Sequence, residues 1–99
     1  MIGRRVATIA EIEQAGDYCG PIRHPDDGTE SCWFLLPIAR DEGVESGARS
    51  MHRVAFPPHT YRECPDGSLE IRNSIASLRG DGSHIWHGFL DEGHVWRTA

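Results

Sequence analysis

The stretch TYRECPDGSLEIR, residues 60–72, decides the fold, because it contains a turn whose chemistry fixes the pairing of two strands. In the Pro-Asp-Gly turn, proline presets the first bend, aspartate tolerates the second, and glycine can adopt a positive φ. Pairing Cys64 with Ser68 then places Arg62 opposite Glu70, a favourable pair of opposite charges. The same register separates an apolar face from a polar face. The apolar set is Tyr61, Leu69 and Ile71, and the polar set is Thr60, Arg62, Glu70 and Arg72.

A second hairpin is predicted near the end of the sequence, where Asp91-Glu92-Gly93 connects two apolar runs. With glycine at the left-handed position of a three-residue connection, Leu90 pairs with His94 and Phe89 pairs with Val95. Side chains alternate along a strand, so this hairpin has two distinct faces. The first carries His84, Trp86, Leu90, His94 and Trp96, and the second carries Ile85, His87, Phe89, Val95 and Arg97.

One short helix is predicted near the start of the chain. Thr8 and Glu11 fit a capping box, and Gly16 fits a left-handed cap, which indicates a two-turn helix over residues 9–15. A helix this short is marginal alone, so it must dock on a sheet. The side chains available for docking are Ile9 and Ile12.

The remaining segments complete a mainly β fold. Residues 17–30 are dense in turn formers and are predicted to be a loop, as are the polar residues 40–50. Between them, CWFLL at 32–36 is apolar on both faces, as in a central strand covered on both sides. Residues 1–99 are therefore predicted to form a single domain, a small antiparallel sheet, sandwich or half-barrel of hairpins with one N-terminal helix.

The composition points to a small globular protein of a reducing compartment. Hydrophobic residues make up 38% and charged residues 25%, which is ordinary for a folded domain. The longest apolar run, 32–36, is too short to span a bilayer. The 3 cysteines are odd in number and widely spaced, unlike a secreted disulfide framework. We therefore expect a cytoplasmic protein that does not enter a membrane.

The charged residues exclude several kinds of chemistry. All 10 basic residues are arginines, so a Schiff-base lysine and a phosphate-loop lysine are both excluded. The net charge is −5 and the arginines are dispersed, which disfavours binding to a nucleic-acid backbone. Arginine nevertheless suits bidentate contacts with carboxylates or phosphates, so a local arginine pocket for a small anion remains open.

Catalytic and metal signals are weak in this sequence. The chain has neither Gly-x-Ser-x-Gly nor a recognisable cysteine-protease signature, which favours a non-catalytic protein. A zinc site could use Cys19, His24 and Cys32, with Cys64 or His84 as the fourth ligand. However, strong zinc signals contain tight Cys-x2-4-Cys pairs, and this chain has none. We therefore expect no cofactor, and this zinc set is the alternative.

The C-terminal hairpin carries the predicted binding site. Flat aromatic rings and arginine forks suit a planar anionic ligand, such as a nucleotide-like molecule, or a hot spot for a partner protein. The competing interpretation is that the two tryptophans are simply core. A third possibility is a structural protein that self-associates into a homo-oligomer through its hairpin edges. The predicted ligand residues are His84, Trp86, His94, Trp96, Arg72 and Tyr61.

Several short motifs resemble an uncharacterised family of small β-rich domains found in bacteria and phages. These motifs are Cys19-Gly20, Ser68-Leu69-Glu70-Ile71, Ser74-Ile75, His84 before Trp86, and Gly93-His94-Val95-Trp96. Asn73 stands where the family pattern has proline. The resemblance implies a setting in the bacterial or phage cytosol, and a phage-encoded sequestering protein is one function compatible with it.

Overall fold

The computed structural model describes residues 1–38, 51–78 and 80–99. Nearly all regular structure in these residues is β-strand, so the predicted fold class is confirmed. None of the helical structure described is long and apolar enough to cross a membrane. The strands are β1 (Arg4–Arg5), β2 (Asp17–Arg23), β3 (Glu30–Leu35), β4 (Met51–Phe56), β5 (Thr60–Glu63), β6 (Leu69–Leu78), β7 (His84–Asp91) and β8 (Val95–Thr98).

The strands form two four-stranded sheets. Sheet 1 has the order β1-β2-β3-β4 and sheet 2 the order β5-β6-β7-β8; β1 and β2 are parallel, and all other pairs are antiparallel. The N-terminal segment links the two sheets. Ile2 forms an isolated β-bridge with Val95, the first residue of β8, and the chain then continues into β1 of sheet 1. Arg5 adds a second link by donating to both carboxylate oxygens of Glu63, at 2.7 and 2.8 Å.

The inner faces of the two sheets share one hydrophobic core. The rings of Phe34 in sheet 1 and Trp96 in sheet 2 lie 5.1 Å apart between centroids. Sheet 1 and the residue that follows β3 contribute Tyr18, Cys32, Phe34, Leu36, Val54 and Phe56, and sheet 2 contributes Leu69, Ile71, Ile75, Trp86, Leu90 and Trp96.

The two hairpins of sheet 2 differ in how well their registers were predicted. In β5–β6 the predicted pairing of Arg62 with Glu70 is confirmed, and Cys64 N–H donates to the Ser68 carbonyl at 2.9 Å. In β7–β8 the predicted register is wrong by two residues, because Leu90 pairs with Trp96 and not with His94.

The cause of this shift is the conformation of His94. Its φ is 62° and that of Gly93 is 86°, so both residues are left-handed and both lie in the turn. Pairing therefore begins between Asp91 and Val95. A shift of two residues leaves every strand side chain on its predicted face, since alternation has a period of two.

In sheet 1, the central position of the CWFLL strand is confirmed, since β3 pairs with β2 on one side and β4 on the other. The predicted loop over 17–30 is wrong for residues 17–23, which form β2, and for Glu30, which begins β3. A register shift between Cys19 and Ile22 accommodates the glycine and proline that suggested a loop. The predicted loop at 40–50 lies outside the described residues.

The predicted N-terminal helix is also wrong, because only one 3-10 turn forms, at Ile9–Glu11. The Thr8 hydroxyl donates to the Glu11 carboxylate at 2.9 Å and does not cap a backbone amide. A carboxylate oxygen of Asp17 accepts the amides of Glu13 and Gln14, at 3.0 Å each. An α-helix would need those amides for its own i→i−4 bonds, so the helix ends early. The two predicted docking residues divide: Ile12 is buried, whereas Ile9 is exposed.

Candidate functional site

The tryptophans of the predicted binding face lie inside the core. Trp86 is 6% exposed and Trp96 is 3% exposed, and their rings form a T-shaped pair 5.7 Å apart. Both indole N–H groups are satisfied internally: Trp96 donates to the Gly16 carbonyl at 2.8 Å and Trp86 to the Thr98 hydroxyl at 3.1 Å. Neither ring is open to a ligand at the surface, in agreement with the core interpretation of these two residues.

His94 is tied to the core through a buried tyrosine. Its Nδ1 lies 2.6 Å from the hydroxyl of Tyr18, and that hydroxyl accepts the N–H of Leu69 at 3.2 Å. This single hydroxyl group therefore hydrogen-bonds to two groups of sheet 2. Burial raises the pKa of Tyr18 to about 12, so its hydroxyl keeps its hydrogen at neutral pH.

The other predicted ligand residues lie apart from this cluster. His84 is exposed at the start of β7, with its ring 5.1 Å from that of His87. Tyr61 donates to a carboxylate oxygen of Glu30 at 2.8 Å and packs on Phe56. Arg72 is exposed and lies 3.7 Å from the Glu70 carboxylate. The six predicted residues are thus divided between the core, the turn at 92–94 and the periphery of sheet 2.

The alternative zinc set is not assembled by the fold. Cys19, His24, Cys32 and His84 are all described, and no three of them place ligand atoms within 4.8 Å of one another. His24 Nε2 is instead 2.8 Å from the Ser31 hydroxyl. Burial raises the pKa of the Cys32 thiol to about 12 and also raises that of Cys19, which disfavours the thiolate form that binds metals.

The outer face of β3 and β4 carries a surface that sequence reasoning did not identify. Along β3, side chains alternate between the core and this face, and the register places Trp33 beside Arg53 and Leu35 beside Met51. The Arg53 guanidinium carbon lies 5.8 Å from the centroid of the Trp33 ring, within cation–π range. We call this surface the outer patch, formed by Trp33, Leu35, Met51, Arg53 and Ala55.

The outer patch carries a positive charge and no negative charge, and among the described residues only Arg23 resembles Arg53 in having no carboxylate partner. Five of the seven arginines in the described residues lie within 4.0 Å of a carboxylate of the same chain. Arg53 has no such partner among the described residues, and none of the five patch residues is acidic. In a protein of net charge −5, this face therefore presents a cation that no described carboxylate contacts, beside apolar side chains.

Only part of this surface was visible in the sequence. Trp33 belongs to the CWFLL run, whose apolar composition predicts burial on both faces of the strand. The sequence therefore did not indicate that Trp33 lies on the outer face and is only half-buried. Its neighbour Arg53 lies 20 positions away, and only the register of β3 with β4 brings the two side chains together. Because the two residues are so far apart in the sequence, no short turn motif predicts the register of the two strands.

Comparison with known proteins gave no match to any protein-family model, curated protein or solved structure. The resemblance of the motifs around Ser68, His84 and Gly93 to a bacterial and phage family therefore stays a prediction.

Proposed function

We propose that this protein is a non-catalytic binding module that docks a partner protein on the outer patch. The observation that carries the proposal is the Arg53–Trp33 pair, in which an arginine with no carboxylate partner among residues 1–38, 51–78 and 80–99 lies over a half-buried tryptophan. Tryptophan and arginine are the residues most enriched in interface hot spots, and methionine is also enriched in interfaces. Sheet 2 offers no equivalent with its own tryptophans, because Trp86 and Trp96 are buried.

The chemistry of the patch specifies the chemistry of the partner. Trp33, Leu35 and Met51 require an apolar surface, and Met51 is 36% exposed. Arg53 favours a carboxylate, because no carboxylate of the described residues makes a charge-assisted contact to this guanidinium. The partner therefore carries an acidic group at the edge of an apolar area, which would complement the patch in charge.

A protein partner suits this geometry better than a small molecule. The patch residues stand on the face of two adjacent strands, whereas small-molecule sites are concave and surround most of the ligand. A sequestering protein, as the family resemblance implies, would be one form of such a module.

The test compares capture by variants of the full chain in extracts of the natural host. Arg53→Glu reverses the patch charge, and Trp33→Ala removes its aromatic ring. Arg23→Glu is the matched control, because Arg23 is also exposed and has no carboxylate partner among the described residues. Loss of a hot-spot contact of about 2 kcal/mol weakens binding about 30-fold.

We expect one protein to be recovered with the parent and with Arg23→Glu, and to be depleted about 30-fold with either patch variant. The melting temperature of each variant verifies that it remains folded. Equal recovery by Arg53→Glu and the parent would refute docking at the patch.

A further inference from the structure

We propose that Cys64, Asp66 and Glu92 form a binding site for one Zn²⁺ ion where two turns of sheet 2 meet. The thiol sulfur and one oxygen of each carboxylate all lie within 4.8 Å of one another. Cys64 and Asp66 belong to the β5–β6 turn and Glu92 to the β7–β8 turn. The Gly93 N–H donates to the Ser68 hydroxyl at 2.9 Å and holds the two turns together.

The state of the Cys64 sulfur favours a cation at this position. The residue is only 6% exposed, and its thiol donates weakly to the Arg62 carbonyl at 3.7 Å. No N–H or O–H group of the described residues donates to the sulfur. The sulfur lone pairs therefore accept no hydrogen bond within the described part of the chain, and they lie beside two exposed carboxylates, so one metal ion could contact all three groups.

Each carboxylate also has one oxygen that accepts no hydrogen bond from any residue the structure describes. Asp66 uses Oδ1 to accept the Ser68 amide at 2.9 Å and the Ser68 hydroxyl at 2.5 Å, which leaves Oδ2. Glu92 uses Oε1 to accept from Arg62 at 2.9 Å, which leaves Oε2. Such outer contacts orient metal ligands in known sites. They also lower the pKa of Asp66, which keeps its carboxylate ionised.

The donor set favours zinc. Zn²⁺ binds cysteine sulfur and carboxylate oxygen in tetrahedral geometry, and three protein ligands leave the fourth position to water. Binding converts the Cys64 thiol to a thiolate, so one proton is released to solvent for each ion bound. These ligands are not outer-patch residues, so either proposal can fail without affecting the other.

The first test titrates the full chain with Zn²⁺ and, separately, with Co²⁺ as a spectroscopic probe. We expect one ion per chain, release of one proton, and a sulfur-to-cobalt charge-transfer band. In Cys64→Ser the band disappears although Cys19 and Cys32 remain, and the affinity for Zn²⁺ falls at least about tenfold. Glu92→Gln should weaken binding by a similar factor without changing any cysteine.

Asp27→Asn provides a matched control. Asp27 accepts from the amide and hydroxyl of Thr29, as Asp66 does from Ser68, but it belongs to no described metal-ligand cluster. Its substitution should leave Zn²⁺ affinity unchanged, and far-UV circular dichroism verifies the fold of every variant. Absence of stoichiometric binding by the parent, a retained band in Cys64→Ser, or equal loss in Asp27→Asn would each overturn the site. If Cys64→Ser does not fold, Glu92→Gln decides.

Discussion

Replacing Tyr18 with phenylalanine removes one oxygen atom that joins the two sheets. Tyr18 is fully buried in β2, and its hydroxyl contacts two groups of sheet 2, the amide of Leu69 and the imidazole of His94. The ring itself remains, so its packing on Trp96 is preserved and no large cavity forms. The variant therefore isolates the contribution of these two hydrogen bonds.

The cost follows from what each partner loses. The Leu69 amide becomes an unpaired buried donor, which costs about 1–3 kcal/mol. His94 is half-buried and loses a bond worth about 0.5–1.5 kcal/mol. Together these effects predict a loss of about 1.5–4.5 kcal/mol in the free energy of unfolding, or roughly 7–22 °C in Tm for a domain of this size.

Urea denaturation followed by tryptophan fluorescence measures this loss. Tyr61→Phe is the matched control, because within the described residues the Tyr61 hydroxyl hydrogen-bonds only to the Glu30 carboxylate and the residue is half-buried. It should cost less than about 1 kcal/mol. A Tyr18→Phe variant within about 0.5 kcal/mol of the parent would show that the hydroxyl does not join the sheets.

The same residue predicts a pH dependence with a definite sign. Burial raises the pKa of Tyr18 from 10.0 to about 12, so the unfolded chain loses this proton first as pH rises. The stabilisation is fully present below pH 10 and is lost between pH 10 and 12, by up to about 1.4 kcal/mol per pH unit. Tyr18→Phe lacks this loss, so its stability deficit should shrink across that window. A constant deficit would contradict the ionisation argument.

Two further predictions concern the side chains of the sheets. In a double-mutant cycle, reversing both charges of Arg62 and Glu70 should lower the free energy of unfolding by less than the sum of the two single reversals. The expected difference is a few tenths to about 1 kcal/mol. Strict additivity would show that this cross-strand pair contributes nothing. In denaturation experiments, Trp96→Ala should lower the free energy of unfolding by about 3–5 kcal/mol, because this ring is buried in the core. Trp33→Ala should lower it clearly less, because Trp33 is half-buried on the outer patch. Comparable losses would show that Trp33 belongs to the core.

Local turn chemistry explains how much of sheet 2 was predictable. The Pro-Asp-Gly turn fixed the pairing of Arg62 with Glu70, because each of its residues has a distinct conformational role. The final hairpin was predicted two residues out of register, because the sequence indicates a left-handed conformation for Gly93 but not for His94. The Tyr18–His94 hydrogen bond holds that histidine in its turn, and the two residues lie 76 positions apart.

Sheet 1 was less predictable because long-range contacts determine it. Gly20 and Pro21 are loop formers by composition, yet a strand forms around them because the pairing of β2 with β3 tolerates an irregularity there. Asp17 ends the N-terminal helix by accepting the amides that the helix needs. The outer patch depends on the register of β3 with β4, and its paired residues Trp33 and Arg53 lie 20 positions apart in the sequence.

The most direct test of docking at the outer patch is site-specific photo-crosslinking in the natural host. A photoreactive residue replaces Met51, which lies in the patch, or Ala76, which is exposed on sheet 2. We predict a crosslink to one partner protein from position 51 that disappears when Arg53→Glu is added, and none to that protein from position 76. A crosslink from position 51 that survives Arg53→Glu, or the same partner crosslinked equally from position 76, would contradict the proposed function.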